Sequence, residues 1–181
     1  GLTLDNNSVF SRHWSANSGI EIYQDKVFST REDINLSTSA TEQKRGLYPD
    51  QAGYGNYSAY SLHHFNSGRW MIDAGIRFNQ FSANIMDTSL GKVRINPSAF
   101  VYNAALLYKL SKTQSVYLSF SSGFRAPNID DMGTLGIVDF RYEIPATGLA
   151  PEKSAQTELG YKIRGKRVSA AAAFFYMDIR N

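Results

Sequence analysis

Strict alternation of apolar and other residues over 69–79 is the feature that most constrains how this chain folds. One side carries Trp70, Ile72, Ala74, Ile76 and Phe78, and the other carries Arg69, Met71, Asp73, Gly75, Arg77 and Asn79. A helix would repeat its apolar positions every 3.6 residues, whereas a period of two belongs to a β-strand with one apolar face. From Trp70 to Phe78 the apolar side spans on the order of 20 Å at the usual strand rise and tilt.

The same period recurs along most of the chain. The predicted strands are 19–30, 54–65, 69–82, 98–110, 115–122, 154–163 and 168–178. Segment 168–177 is apolar nearly throughout, so the pattern does not say which side chains share a face. Residues 1–18 have no clear pattern. The sequence therefore predicts an all-β chain of about seven to eight antiparallel strands.

The connections between these strands alternate in length. Three of them, 66–68, 111–114 and 164–167, are short and rich in turn-forming residues. The other three, 31–53, 83–94 and 123–152, are long, polar and without clear periodicity. This rhythm is typical of outer-membrane barrels, which have short periplasmic turns and long outer loops. It favours an up-and-down transmembrane β-barrel with the long connections outside the cell; a soluble β-sandwich is the alternative, but it would bury its aromatic face.

The composition excludes several other classes of protein. Aromatic residues make up 13% of the chain, and there is no Cys, which excludes a disulfide scaffold and Cys-based metal sites. The net charge is only +3 and the basic residues are scattered, so nucleic-acid binding is not predicted. The longest apolar run, 170–177, is far shorter than the roughly 18 residues of a membrane-spanning helix. The N-terminus shows neither the basic start nor the apolar run of a signal peptide.

If the strands cross a membrane, their two faces meet different surroundings. We expect Trp70, Ile72, Ile76, Phe78, Phe100, Leu106 and Tyr108 to face lipid. We expect Asp73, Arg77, Asn103 and Lys109 to face the lumen. A polar lumen tolerates charges that lipid does not, so Asp73, Arg77, Glu158 and Lys162 are predicted to form ion pairs between strands. Tyr48, Tyr54 and Tyr57 are predicted to belong to the aromatic girdle.

Two motifs carry a resemblance to a known family. Phe124-Arg-Ala-Pro-Asn-Ile-Asp-Asp131 opens the longest connection. Leu149-Ala-Pro-Glu-Lys-Ser154, followed by Glu158-Leu-Gly-Tyr161, closes it and begins the next strand. With this spacing the segments resemble the C-terminal barrel half of TonB-dependent outer-membrane receptors. The resemblance covers roughly 54–181 and is most specific at 117–162.

The resemblance implies a barrel of about 22 strands, plugged by an N-terminal domain. Residues 1–181 would be part of that one barrel domain, with the plug, the TonB box and the closing C-terminal strand outside them. The implied location is the outer membrane of a Gram-negative bacterium, and the implied partners are its lipid and the TonB complex. The implied function is uptake of a bulky, scarce nutrient such as a ferric siderophore or haem. A passive porin or an adhesin barrel is the alternative, but it would lack these two motifs.

Within the longest connection the candidate ligand-binding residues are Arg125, Asp130, Asp131, Phe140, Arg141 and Tyr142. The arginines could grip anionic groups of a ligand, and the aromatic rings could contact flat or apolar ones. The alternative for Arg125 is structural, because it could pair with Asp130 or Asp131 and so order the loop.

Haem binding, catalysis and metal binding receive less support. Haem receptors of this family carry a loop His after the first motif, but no His lies between 124 and 154, and only Tyr142 or Met132 could replace it. The sequence has no G-x-S-x-G, and His63 and His64 precede a short turn, so no enzyme is predicted. The acidic residues Asp130, Asp131, Asp139 and Glu143 lack a calcium-loop spacing, so neither a metal site nor a cofactor is predicted.

Overall fold

A computed structural model describes residues 1–87, 91–138, 141–144, 146 and 148–180, with residues 87, 133 and 136–138 described by their backbone alone. The strands are β1 (Leu2–Ser11), β2 (Trp14–Val27), β3 (Thr30–Ile34), β4 (Thr41–Arg45), β5 (Ala52–Ser67), β6 (Trp70–Asp87), β7 (Gly91–Ile95), β8 (Ser98–Lys109), β9 (Gln114–Arg125), β10 (Gly136–Val138), β11 (Arg141–Glu143), β12 (Glu152–Arg164) and β13 (Ser169–Arg180). One short helix, α1 (Ile129–Gly133), precedes β10. No helix in these described ranges is long and apolar enough to cross a membrane.

Eight long strands form one antiparallel sheet in the order β1-β2-β5-β6-β8-β9-β12-β13, with β7 paired to the end of β6. Each long strand pairs with the next long strand along the chain, which is the up-and-down topology predicted from the sequence. The order of the strands does not return to its start, so the described sheet is open. The all-β antiparallel prediction is therefore confirmed.

The predicted strands are all present, but the first two strands differ from the prediction. β1 lies within residues 1–18, where no pattern was recognised, and β2 begins at Trp14 rather than at residue 19. Both faces of this hairpin carry Asn and Ser at one end, including Asn7 opposite Asn17 and Ser8 opposite Ala16. Polar residues on both faces erase the alternation on which the prediction depended.

The long connections also contain more regular structure than predicted. β3 pairs with β4, β7 extends the β6 hairpin, and β10 pairs with β11. These strands are three to five residues long, which is too short for a period of two to stand out from its surroundings. All of these additions lie at one end of the sheet, and the short turns lie at the other.

The register groups the predicted apolar residues on one face and the predicted polar residues on the other, because residues directly opposite each other in a ladder share a face. Trp70 lies opposite Tyr108, and Phe78 lies opposite Phe100. Their ring centroids are 4.4 Å and 5.3 Å apart. The apolar face remains largely exposed, with Ile76 at 58% and Phe100 at 69%, which contradicts a β-sandwich.

The opposite face is polar and hydrogen-bonded across strands. Arg77 pairs with Glu21 of β2 and donates to Ser58 at 2.7 Å. The Nδ1 atom of His64 lies 2.6 Å from the carboxylate of Asp73. Arg77 thus forms an inter-strand ion pair, but with Glu21 rather than with one of the four predicted residues, and Asp73 contacts His64 instead of a predicted partner.

Glu158 and Lys162 depart from that prediction. They meet at Tyr117 instead, whose hydroxyl donates to Glu158 while Lys162 lies 4.9 Å above its ring. The two residues are four positions apart on one strand, too far for their charged groups to pair directly.

Candidate functional site at the outer end of the sheet

The polar face changes character where β5 and β6 extend toward the long connections. Ala52, Ala83 and Ile85 continue that face but are no more than 2% exposed. Together with Ile129 and Met132 they form a small apolar cluster, which we call the rim core. On the apolar face at the same height the side chains are polar, as at Asn84 opposite Arg94. The two faces therefore exchange polarity at the rim.

The rim core exists because the β9–β12 connection packs onto the sheet. Ile129 and Met132 of α1, three positions apart and therefore on one side of the helix, are 6% and 1% exposed. Val27, Tyr54, Val93 and Ile95 pack around the cluster. Burial of Met132 leaves it unsuited to replace a His as haem ligand. Tyr54 lies on the side of the rim core, not in the aromatic girdle as predicted.

The first family motif, residues 124–131, joins the end of β9 to the start of α1. Asn128 is the N-cap of α1: its side chain accepts from the Asp131 backbone N–H at 2.8 Å, and Asp131 accepts from the Asn128 N–H at 3.1 Å. Arg125 donates to both carboxylate oxygens of Asp131, at 2.8 Å and 2.9 Å. A single carboxylate thus links the end of β9 to the start of the helix.

A second contact joins this connection to the one between β2 and β5. The Leu135 N–H donates to the Leu47 carbonyl at 3.1 Å. The negative charge of Asp130, together with partial burial and a hydrogen bond to Asp130, raises the pKa of Tyr48. Thr134 donates to the backbone carbonyl of Asp130 at 2.7 Å. The long connections of β2–β5 and β9–β12 are therefore held together at the rim.

The predicted ligand-binding residues separate into groups. Arg125 and Asp131 pair with each other, as the structural alternative for Arg125 proposed. Asp130 faces Thr134 and Tyr48 instead. Arg141 and Tyr142 lie on β11 and are exposed, Tyr142 at 69%. Phe140 lies outside the described residues, so its predicted role has no structural counterpart here.

Some residues that organise this region were not singled out from the sequence. Tyr48 was assigned to the girdle, and α1 was not predicted. The signal for α1 was present: an Asn N-cap, Asp three residues later, and apolar residues at 129 and 132. No comparable signal pairs Tyr48 with Asp130, since they are far apart in sequence. Within the described ranges no group of three or more His, Asp or Glu side chains could hold a metal ion.

An open antiparallel sheet with an exposed apolar face, a polar hydrogen-bonded face and long connections at one end defines a segment of a transmembrane β-barrel wall. The family model described as "TonB dependent receptor-like, beta-barrel" matches residues 1–181. The chain therefore belongs to the TonB-dependent receptor family, whose members are receptors and transporters of the Gram-negative outer membrane. This membership favours a receptor over a passive porin or an adhesin barrel.

Solved structures show the same fold. The copper transporter OprC aligns over 96% of this chain at 13% identity with a TM-score of 0.78. The Serratia marcescens hemophore receptor HasR, in complex with its hemophore HasA and heme, aligns over 98% at 14% identity with a TM-score of 0.74. The siderophore receptor PiuA from Acinetobacter baumannii aligns over 96% at 17% identity with a TM-score of 0.68. This chain spans 28%, 32% and 30% of those chains, respectively. No curated protein matches the sequence.

Proposed function

We propose that this chain is part of the barrel of a longer receptor that takes up a bulky iron complex, such as a ferric siderophore or haem, with energy supplied through TonB. Membership of the family supports TonB-dependent uptake as the mode of transport. Two of the similar structures are named for a siderophore and for a hemophore with heme, and one for copper, which favours a metal complex as the cargo. The plug domain and TonB box of this mechanism would belong to the rest of the receptor.

The proposal rests on the contrast between two parts of the β9–β12 connection, one held against the sheet and one exposed to solvent. Its first part is fixed by the Arg125–Asp131 pair and by the rim core, while Arg141 and Tyr142 project from β11 into solvent. A rigid base with exposed cationic and aromatic groups suits capture of an anionic, partly flat complex. We therefore assign the binding role to Arg141 and Tyr142, with Phe140 as their neighbour in sequence.

The test is uptake of radioactive iron by cells whose only such receptor is the full-length parent. Ferric catecholate, ferric hydroxamate and haem are supplied separately, with and without TonB. We expect uptake of at least one complex, dependent on TonB, and reduced by the double substitution Arg141→Gln, Tyr142→Ala. Lys112→Gln, at a short turn on the other end of the sheet, is the matched control.

Deleting 129–147 would test binding less cleanly than the double substitution, because Ile129 and Met132 belong to the core that all three long connections share.

Surface display of each variant is measured with an antibody to the intact receptor. Unchanged affinity and uptake in the double variant would show that this connection is structural and that binding lies elsewhere. Failure to transport any of the three complexes would contradict the proposed cargo.

A further inference from the structure

The lipid-facing side of the sheet is not apolar throughout. On β1, β2 and β5 this side carries five polar residues in two adjacent rows of the ladders, namely Asn6, Ser8, Ser18, Ser61 and His63. Ser61 and His63 lie directly opposite Ile76 and Ala74 of β6, which places all five on the same side as the apolar residues of β6. We call these five residues the polar patch.

The polar patch lies midway along the part of each strand that faces lipid. On β5, Ser61 is four residues from Phe65 toward the short turn and four residues from Tyr57 toward the long connections. On β2, Ser18 lies four residues from Trp14, which is opposite Phe65 in the ladder. The polar patch is therefore near the middle of the apolar band, where polar groups find no water.

A chain of hydrogen bonds crosses the polar patch, and its first donor fixes its direction. The indole N–H of Trp14 can only donate, and it donates to Nδ1 of His63 at 3.1 Å. His63 is therefore the neutral tautomer whose Nε2–H donates to the Ser61 hydroxyl at 3.0 Å. The Ser61 hydroxyl in turn donates to the Ser18 oxygen at 2.7 Å. The hydroxyl hydrogen of Ser18 is the last donor of the chain.

An acceptor lies beside this last donor. Asn6 is exposed and directly opposite Ser18 in the β1–β2 ladder. Its amide nitrogen donates to Ser8 at 2.9 Å. Its Oδ1, like the hydroxyl hydrogen of Ser18, has no partner among the residues that the structure describes. An unpaired donor and an unpaired acceptor cost free energy when both face hydrocarbon.

The unpaired groups are those that a second copy of the receptor would supply. Copies in one membrane share their orientation and depth, so a two-fold axis along the membrane normal brings two polar patches to the same level. A two-fold contact is reciprocal, so a donor of one copy that meets an acceptor of the other does so twice. Hydroxyl, amide and neutral imidazole groups carry no net charge, so two polar patches do not repel each other.

We propose that the polar patch is the contact between two copies of the full-length receptor within the membrane. Ser18 of each copy donates to Oδ1 of Asn6 of the other copy. Trp14 and Phe65 at one end, and Ile20 at the other, surround these hydrogen bonds and exclude lipid from them. The contact depends on the barrel wall and not on the cargo, so it stands apart from the proposed function.

Disulfide formation between two co-expressed forms of the full-length receptor tests the contact. One form carries Asn6→Cys and the other Ser18→Cys, with different affinity tags and no other cysteine, so only contact between copies joins the two tags. We expect a linked product with both tags in outer membranes treated with a mild oxidant. Ala104→Cys with Phe120→Cys, an opposite pair on the apolar part of the same side, is the control and should stay unlinked.

Energy transfer between labelled receptors, diluted stepwise in lipid vesicles, measures the strength of the contact. In Asn6→Leu the association constant should fall about tenfold, because two hydrogen bonds between side chains in the membrane are lost. Asn7→Leu is the same change on the next residue, whose side chain faces the lumen and accepts from Asn17 at 2.8 Å. It should leave association unchanged. Heat-modifiable gel mobility shows that each variant is a folded barrel.

Three results would overturn the proposal. The first is a cysteine pair at 6 and 18 that links no more than the control pair does. The second is an association constant of Asn6→Leu equal to that of the parent. The third is a cysteine at 18 that links only to a different outer-membrane protein, which would assign the polar patch to that protein instead of a second copy.

Discussion

At the scale of single residues, Arg125 shows how far sequence reasoning reaches. Its position in a family motif and the neighbouring acidic residues predicted a pair with Asp130 or Asp131. The structure selects Asp131 because that residue is also the third position of α1, where its carboxylate caps the helix. Asp130, one position on, faces Thr134 and Tyr48 instead. The choice between adjacent residues depends on helix geometry that the motif alone does not specify.

Replacing Arg125 should loosen the start of the β9–β12 connection. In Arg125→Gln the charge and the paired hydrogen bonds to Asp131 are lost, and in Arg125→Lys the charge and a hydrogen-bond donor remain but the bidentate geometry is lost. We expect faster hydrogen exchange over 126–135 in both, with the Gln variant faster. Arg141→Gln is the control and should leave this segment unchanged. Equal exchange in all three variants would mean that the pair does not order the loop.

Tyr48 should make the contact between connections sensitive to alkaline pH. Its raised pKa means that the protonated phenol is favoured when folded, so its contribution is complete below the ordinary value of about 10. That contribution is lost as the pH rises through the folded-state pKa. We expect subtilisin to cleave the 28–51 connection faster at alkaline pH in the parent, and equally fast at neutral and alkaline pH in Tyr48→Phe. Tyr142→Phe, lacking this contact, should behave as the parent does.

At the scale of elements, the long strands were predictable and the rim was not. A strand such as β6 presents many alternations, and its apolar face meets one uniform environment. At the rim the two faces exchange polarity within a few residues, because α1 covers one face and water the other. A strand pattern that inverts partway appears in sequence as an irregular segment, so residues 83–94 were interpreted as loop.

The rim core should make the three long connections unfold together. Met132→Ala removes a buried side chain, a change that costs about 2–5 kcal/mol in well-packed cores. We expect hydrogen exchange to rise together in 28–51, 83–95 and 126–135. Met86→Ala is matched in chemistry but alters a side chain that is 72% exposed, and should have little effect. Faster exchange confined to 126–135 would show that the connections are independent.

At the scale of the whole molecule, the barrel wall was predicted from two patterns: the alternation of apolar residues along the strands, and the alternation of short and long connections between them. β1 was missed because its polar end has no alternation, and the facing of β13 needed the register, which places Phe174 opposite Leu159. The candidate site was predicted only in outline. Arg141 and Tyr142 are exposed as a binding role requires, whereas Arg125 and Asp131 are occupied by each other. That distinction depends on tertiary contacts between connections.

Whether a position of β6 faces lipid or the lumen should decide whether a charged side chain is tolerated there. Ile72→Arg places a cation on the lipid-facing side, where the cost is about 2–4 kcal/mol at the bilayer midplane and falls toward the interface, and it should reduce barrel assembly in lipid vesicles. Asp73→Asn, on the next residue but facing the lumen, keeps an oxygen for His64 and should assemble normally. Similar assembly yields for the two variants would contradict the assigned faces.

We expect this chain to cross the outer membrane with its long connections outside the cell. Single cysteines at Tyr142 and Lys166, in a full-length parent without other cysteines, test it with a maleimide–polymer too large to pass through porins. We predict that Tyr142→Cys reacts on intact cells, whereas Lys166→Cys reacts only after the outer membrane is permeabilised. Reaction of Lys166→Cys on intact cells, with Tyr142→Cys protected, would contradict the claim.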